Sequence, residues 1–304
     1  MSSSQLRQLR EDDADAVAAL FAEAWGESRR MDGAEIREWF NNQALQPENL
    51  LVLEQDGRAV GYLDVWVEDD VADLDVAAPG FWDDAFGHAE KRAAAIGATR
   101  VRSFVVDEHP VGDLVARRGY RRIRSSWTME IELGVEAPLE PAIPDGIELR
   151  PYRHPEDEQR VYEALQEAFL DHWDFHPAPA ETWREFNVKA GNFDPDLWLV
   201  AWADNEVAGA SLNYPERSGD PGHGWVGTLG VRRGWRRRGL GEALLRRSFG
   251  MLHARGLRKV RLGVDAENPT GATRLYERVG MHVLRQSNTW ERALDAAGSR
   301  EPDS

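Results

Sequence analysis

Residues 231–245 read V-R-R-G-W-R-R-R-G-L-G-E-A-L-L, and the reading of the fold turns on what flanks them. An apolar run (Trp225, Val226, Leu229, Val231) leads in with strand character, and a helical stripe of Leu240, Leu244, Ser248 and Leu252 leads out. Between strand and helix stand Gly239 and Gly241, where the small side chains let backbone N–H groups turn toward one point. The positive end of the helix dipole adds to those groups, and together they make a cradle for phosphate. Arginines at 232, 233, 236, 237 and 238 strengthen the local field for an anion. On these residues alone, a solvated basic turn or a nucleic-acid patch stays open.

Composition narrows the choice. A chain of 304 residues favours two ordinary domains, and a hydrophobic fraction of 42% with twelve tryptophans is enough to build their cores. The net charge of −16 argues against binding a nucleic-acid duplex, which needs an extended basic face, and favours cationic partners. There are no cysteines, which excludes a thiol nucleophile, a thiolate metal site and a disulfide framework. The start, M-S-S-S-Q-L-R-Q-L-R, has no apolar core of signal-peptide length, and no window approaches a membrane span. The expectation is a soluble, cytoplasmic protein with no membrane partner.

The two halves repeat one plan. L-R-Q-L-R-E-D-D-A-D-A-V-A-A-L-F-A-E-A-W (6–25) and I-E-L-R-P-Y-R-H-P-E-D-E-Q-R-V-Y-E-A-L-Q-E-A-F (147–169) each read as a short strand, an acidic cap and an amphipathic helix. A second helical stretch follows in each, E-I-R-E-W-F (35–40) or E-T-W-R-E-F (181–186). Hairpins come next, at 49–66 around Asp56-Gly57 and at 197–214 around Asp204-Asn205. Both halves close with helix, glycine and an aromatic or methionine, V-A-R-R-G-Y and Y-E-R-V-G-M. Residues 134–146, with prolines at 138, 141 and 144, read as the linker. The expected division is therefore an N-terminal domain at 1–133, the linker, a C-terminal domain at 147–294 and a disordered tail at 295–304.

The copies differ where it matters. At the position of the cradle the first half reads V-A-D-L-D-V-A-A-P-G-F-W-D-D-A-F, with Asp83 and Asp84 in place of arginines and no matching glycine spacing. Acidic side chains there would repel a pyrophosphate at close range. The first domain is thus expected to be degenerate and the second to carry the chemistry.

R-x-x-G-x-G, met by Arg236, Gly239 and Gly241 with the strand residue Val231 five positions before the arginine, resembles the acyl-CoA pyrophosphate loop of the GNAT N-acetyltransferases. Arg233 stands where that family often has proline. The stretch V-R-L-G-V-D-A-E-N-P-T-G-A-T-R-L-Y-E-R-V-G-M (260–281) resembles the family's second motif, N-x-x-A-x-x-L-Y-x-x-x-G-F, with Asn268 to Ala272 one residue longer than usual. The resemblance implies an α/β fold of two tandem GNAT domains, each a mixed, mostly antiparallel twisted sheet flanked by helices. It implies acetyl-CoA as cosubstrate, its pyrophosphate on Arg236, Arg237, Arg238, Gly239, Leu240 and Gly241. Its pantetheine arm would run along Leu229, Gly230 and Val231, with Asn268 as a polar contact. Tyr276 would be the general acid for the departing thiolate.

The base is harder to find. One tandem member of the family that the chain resembles carries a glutamate on the strand before the cradle, and counting back six from Val231 gives Trp225, which accepts no proton. His223, two residues earlier, titrates near neutrality when unperturbed and is the candidate base, although a histidine in G-D-P-G-H-G-W also reads as a loop residue. Asp171, His172, Trp173, Asp174 and His176 lie between two helices, where the family builds its acceptor pocket. Carboxylates and an indole there suit a cationic amine, while Pro177 interrupts the geometry a zinc site at His172 and His176 would need. The expected activity is transfer of acetyl to a primary amine of a small molecule or peptide by direct attack, without a metal. A non-catalytic acyl-CoA-binding module is the alternative.

Overall fold

Alternating apolar positions and turn residues lay the chain out in the expected order of strands and helices. The computed structural model describes residues 4–29, 31–43, 45–216 and 222–294, so the expected tail at 295–304 lies outside the described residues. In chain order the elements are β1 (Gln5–Gln8), α1 (Ala14–Trp25), α2 (Gly33–Glu38), β2 (Leu50–Gln55), β3 (Arg58–Glu68), β4 (Val71–Ala77), α3 (Trp82–Ala95), β5 (Arg100–Val106), α4 (Val111–Arg117) and β6 (Arg121–Glu132). They continue with β7 (Glu148–Pro151), α5 (Glu158–Phe169), α6 (Ala180–Asn187), β8 (Leu199–Ala203), β9 (Glu206–Tyr214), β10 (His223–Val231), α7 (Leu240–Ala254), β11 (Lys259–Asp265), α8 (Ala272–Arg278) and β12 (His282–Ala293). The β2–β3 turn holds Asp56 at φ 50 and Gly57 at φ 75, the two positive angles a tight hairpin of the right twist demands.

The chain divides into two units, Met1–Ser125 with Gln286–Ser304, and Ser126–Arg285. This corrects the expected contiguous division at 1–133 and 147–294. β6 pairs antiparallel with β11 from Ser126 to Glu132, so it completes the second unit's sheet. β12 pairs antiparallel with β5 from Ser287 to Ala293, so the end of the chain completes the first unit's sheet. Strand periodicity states which face is apolar and says nothing of which neighbour takes the N–H and C=O groups. The two closing strands follow similar helix–glycine signals and cannot be assigned from them. Residues 134–146 carry no helix or strand and fall inside the second unit rather than at its boundary.

The first unit's sheet runs β1-β2-β3-β4-β5-β12, antiparallel except for β4 beside β5. The second runs β6-β11-β10-β9-β8-β7, antiparallel except for β10 beside β11. In the second unit Leu165 and Trp183 of α5 and α6 pack with Trp198, Leu212 and Trp225. Leu245, Phe249 and Val279 of α7 and α8's end pack with Val260 and Leu262 of β11.

The stripe read from α7 is buried as the periodicity predicts: Leu240, Leu244, Ser248 and Leu252 are all inside. A serine on that stripe has a partner waiting. Asn213 of β9 donates to Ser248 Oγ (3.0 Å) and to the Leu197 carbonyl (2.7 Å), and Ser211 donates to Asn213 (2.9 Å). Leaving one such buried group unpaired would cost about 1–3 kcal/mol. The completed network therefore fixes where α7, and the loop at its N-terminus, sits along β9.

Candidate active site

β10 is the strand on which the site is built. It pairs with β9 along most of its length, through a bulge between Val226 and Thr228. With β11 it pairs only from His223 to Trp225, opposite Lys259 to Arg261. Past that point the two parallel strands part, and the β10 edge at Leu229, Gly230 and Val231 opens into a cleft of about 700 Å³. Gly230 is required there on packing grounds: a Cβ would meet Leu165 Cδ2 at 2.6 Å and Ala168 Cβ at 3.2 Å.

The loop after β10 forms the cleft's floor. Arg237 (φ 59) and Gly239 (φ 85) are both left-handed, a curl that turns successive N–H groups to one side before α7 begins at Leu240. Arg237, Gly239, Leu240 and Gly241 line the cleft, and an added Cβ at Gly239 would meet nothing within 4 Å. This is a concave helix N-terminus, an arrangement that suits an anion.

The arginines do not all serve it. Arg236 donates through Nε to the Val231 carbonyl (3.0 Å), through Nη2 to the Ala168 carbonyl (2.8 Å) and through Nη1 to Asp171 (2.6 Å). It is a strut between the loop and the end of α5, held through all three of its nitrogens. Arg232 likewise binds Glu167 (2.6 Å), and Arg233 pairs with Asp171. Arg237 is exposed, lines the cleft and holds no side-chain hydrogen bond or ion pair among the described residues. Arg238 is exposed as well but stands away from the cleft, beside Trp235 and Leu240 in a separate hollow.

Tyr276 faces the same cleft from α8. It is 7% exposed, its hydroxyl has no hydrogen-bond partner among the described residues, and burial pushes its pKa up to about 12. Asn268 does not reach the cleft. Its Oδ1 accepts from Thr270 N (2.8 Å) and Thr270 Oγ1 (2.5 Å), closing a turn. The extra residue between Asn268 and Ala272 is absorbed at Gly271, left-handed at φ 80, and Pro269 to Ala272 line the cleft instead.

Of the cluster after α5, Asp171 and His172 line the cleft, whereas Trp173, Asp174 and His176 do not. Asp171 is held below the usual carboxylate range by Arg236 and Arg233. His172 is half-buried and rests on the Phe169 ring at 4.4 Å. Burial and the Arg236 charge lower its pKa, against a smaller opposing pull from Asp265 and Asp171. His223 is not brought to this place. It sits at the paired end of β10 opposite Lys259, six residues before Leu229, about 20 Å of extended strand.

The first unit treats the corresponding place differently. β4 and β5 also pair in parallel only at one end, Val71–Leu74 with Arg100–Ser103. Beyond it the Trp25 indole donates to the Val76 carbonyl (3.1 Å), and its ring meets Trp82 (5.3 Å) and His109 (4.7 Å). Three rings, from the end of α1, the start of α3 and the turn before α4, thus meet in edge-on and tilted contacts at the end of β4.

The family model for the acetyltransferase (GNAT) family matches residues 158–281, which lie in the second unit. Mycothiol acetyltransferase of Beutenbergia cavernae is 31% identical over an alignment covering 78% of this chain and 80% of that protein. With three other mycothiol acetyltransferases, among them that of Geodermatophilus obscurus, the alignment spans only 52–59% of their length. Among solved structures, a GCN5-related N-acetyltransferase from Sphaerobacter thermophilus superposes with a TM-score of 0.75 at 30% identity, covering 95% of each chain. A tandem GNAT protein from the clavulanic acid biosynthesis pathway superposes with a TM-score of 0.72 at 18% identity, covering 98% of this chain and 100% of that one, and speaks for the fold.

Proposed function

This chain belongs to the acetyltransferase (GNAT) family, and on that premise we propose that it moves an acetyl group from acetyl-CoA directly to a primary amine, with the chemistry in the second unit. One observation carries the reading: the unpaired edge of β10, the curled loop at the start of α7 and the buried Tyr276 meet in a single cleft. In the first unit, the rings of Trp25, Trp82 and His109 stand where that cleft would be, which supports a structural role for that half.

Acetyl-CoA is the substrate to be held. The N–H groups of Gly239, Leu240 and Gly241, with the α7 dipole and the Arg237 charge, suit its pyrophosphate. The edge of β10 at Leu229–Val231 offers backbone groups to the pantetheine arm and a donor for the thioester oxygen as negative charge develops there. Tyr276, kept protonated by burial, is the proton donor for the leaving thiolate. With no cysteine in the chain, direct attack on the thioester by a bound amine is the simplest route. The acceptor is a small-molecule or peptide amine. The net charge of −16 favours a cationic one, and the relatives' names direct attention to mycothiol lacking its acetyl group.

The second reading, a module that binds acyl-CoA without catalysis, is favoured by Trp225 standing where a glutamate base would be. Incubation with acetyl-CoA and a panel of amines separates the two. The panel would hold mycothiol lacking its acetyl group, polyamines, aminoglycosides, amino acids and short peptides, with product followed by mass. Enzyme-dependent gain of an acetyl group by one class of amine is the expected result. Tight acetyl-CoA binding with no acetylated product from any of them would establish the binding module instead.

A further inference from the structure

We propose that the imidazole of His172 is the catalytic base that takes the proton from the attacking nucleophile, an inference that rests on the acetyltransferase reading. The cleft's lining supplies the reasoning. Its other ordinary proton acceptors are the carboxylates of Asp171 and Glu242. Asp171 is bound by Arg236 (2.6 Å) and Arg233, and Glu242 by Arg246 (2.9 Å) and Arg278 (3.2 Å). Both are pulled below their usual range by these arginines, which makes them poor bases. Glu242 also lies in the first turn of α7, beside the loop assigned to phosphate.

His172 is placed differently. Its backbone N–H closes a turn onto the Phe169 carbonyl (2.8 Å), its ring lies on Phe169, and no ring nitrogen has a protein partner among the described residues. The charged groups that act on it are Arg236 from the loop, Asp265 at the end of β11 and Asp171 from its own turn. Asp265 ends the very strand that parts from β10, and His172 lines the same cleft as the β10 edge at Leu229, Gly230 and Val231. Arg236, which reaches the carbonyls of Val231 and Ala168 together, ties the end of α5 to the end of β10 and so sets the imidazole over the cleft.

The step balances without a further reactant. The nucleophile's lone pair forms a bond to the thioester carbon, its N–H or O–H becomes acidic as that bond forms, and the proton passes to the imidazole. The C–S bond then breaks, its electron pair leaves on sulfur, and the Tyr276 proton completes the thiol. The imidazolium returns its proton to the tyrosinate through solvent, restoring both groups. A neutral imidazole is the active form, so activity rises with pH through the His172 titration, below the ordinary histidine value near ~6.5.

Acetyl-CoA with water as acceptor is the probe, because water adds no titration of its own to the profile. Hydrolysis by the full-length protein is measured as CoA release against pH, and CoA affinity by calorimetry. The expected result for His172→Gln is a rate lower by about 100-fold with the acidic limb gone and CoA affinity unchanged. Added imidazole should restore part of the rate to His172→Gly. A His172→Gln protein that keeps the limb and most of its rate, or a limb that vanishes in His223→Gln instead, overturns the assignment. A wild-type protein that binds CoA and cleaves no thioester, in water or with the amine panel, overturns the acetyltransferase reading itself.

Discussion

Alanine at Gly239 and alanine at Gly256 pose one conformational problem at opposite ends of a single helix. Both glycines are left-handed, at φ 85 and φ 87, and an added Cβ meets nothing within 4 Å at either. An L-residue in that region costs about 1–2 kcal/mol, so the two variants should lose equal stability. For a unit of this size that is roughly 2–8 °C in melting temperature. The difference lies in what else is near. Gly239 lines the cleft at the head of α7, whereas Gly256 follows its tail. The open space into which the Gly239 Cβ would project is where phosphate oxygens must approach the loop's N–H groups. Weakening one or two hydrogen bonds to a charged group, at about 1.5–3 kcal/mol each, raises the CoA dissociation constant at least ~10-fold. Differential scanning fluorimetry reads the first effect and calorimetry with CoA the second. Equal loss of stability with affinity lost only in Gly239→Ala is the expected pattern. If both variants bind CoA alike, the loop is not the phosphate cradle, and if only one loses stability, the strain argument fails.

Other expectations follow from single contacts. Tyr276→Phe keeps the packing of α8 and removes a proton held near pH 12, so turnover should fall by about 100-fold with CoA affinity unchanged. An unchanged turnover would return the tyrosine to the core. Asp171→Asn frees Arg233 toward the cleft, so CoA binding should stay equal or tighten. Hydrogen exchange in residues 170–178 should rise, since the tie to Arg236 and Arg233 is lost. Gly230→Ala drives a methyl into Leu165 and Ala168 and should cost about 1–3 kcal/mol by overpacking, measured by urea denaturation.

The geometry of the loop before α7 is legible in the sequence because its information is local. A strand, two glycines and an apolar stripe lie within thirty residues, and each has one structural meaning. The placement of Tyr276 on the cleft is legible for the same reason, through its spacing from Gly280. The strut role of the Arg236 side chain is not legible in the motif, because its partners, the carbonyl of Ala168 and the carboxylate of Asp171, come from another element far back in the chain. Distance along a strand is real distance, and β10 places His223 at its paired end, outside the lining of the cleft. From sequence, His172 reads as an acceptor contact or, with His176, as half of a zinc pair that Pro177 disfavours. Nothing in D-H-W-D-F-H-P says that one histidine is turned over the cleft while the next is not, because a turn's direction is set by what packs beneath it, here Phe169. The rings that meet at the end of β4 in the first unit, Trp25, Trp82 and His109, are likewise scattered over more than eighty residues, and only the fold gathers them.

The crossed closing strands carry a consequence that a contiguous division would reverse. Ending the chain after Arg285 removes residues that by sequence belong to the second half, yet the loss should fall on the first unit. β12 supplies seven register pairs to β5, from Ser287 opposite Val106 to Ala293 opposite Arg100. It also brings Arg292 to the buried Glu90 (2.9 Å), which Arg118 (2.6 Å) and the Tyr120 hydroxyl (3.0 Å) share, and Glu291 to Arg102 (2.7 Å). At about 0.5–1.5 kcal/mol per ladder hydrogen bond the strand is worth several kcal/mol, a large part of the ~5–15 kcal/mol that holds an ordinary domain. Hydrogen exchange followed by mass spectrometry on the shortened protein should therefore show β5, α3 and α4 losing protection while β10 and α7 keep theirs. CoA binding should survive, because the residues lining the cleft end at Arg278. Loss of protection in β10 and α7 with β5 intact would mean that β12 belongs to the second unit, and that the pairing of Ser287–Ala293 with β5 is wrong.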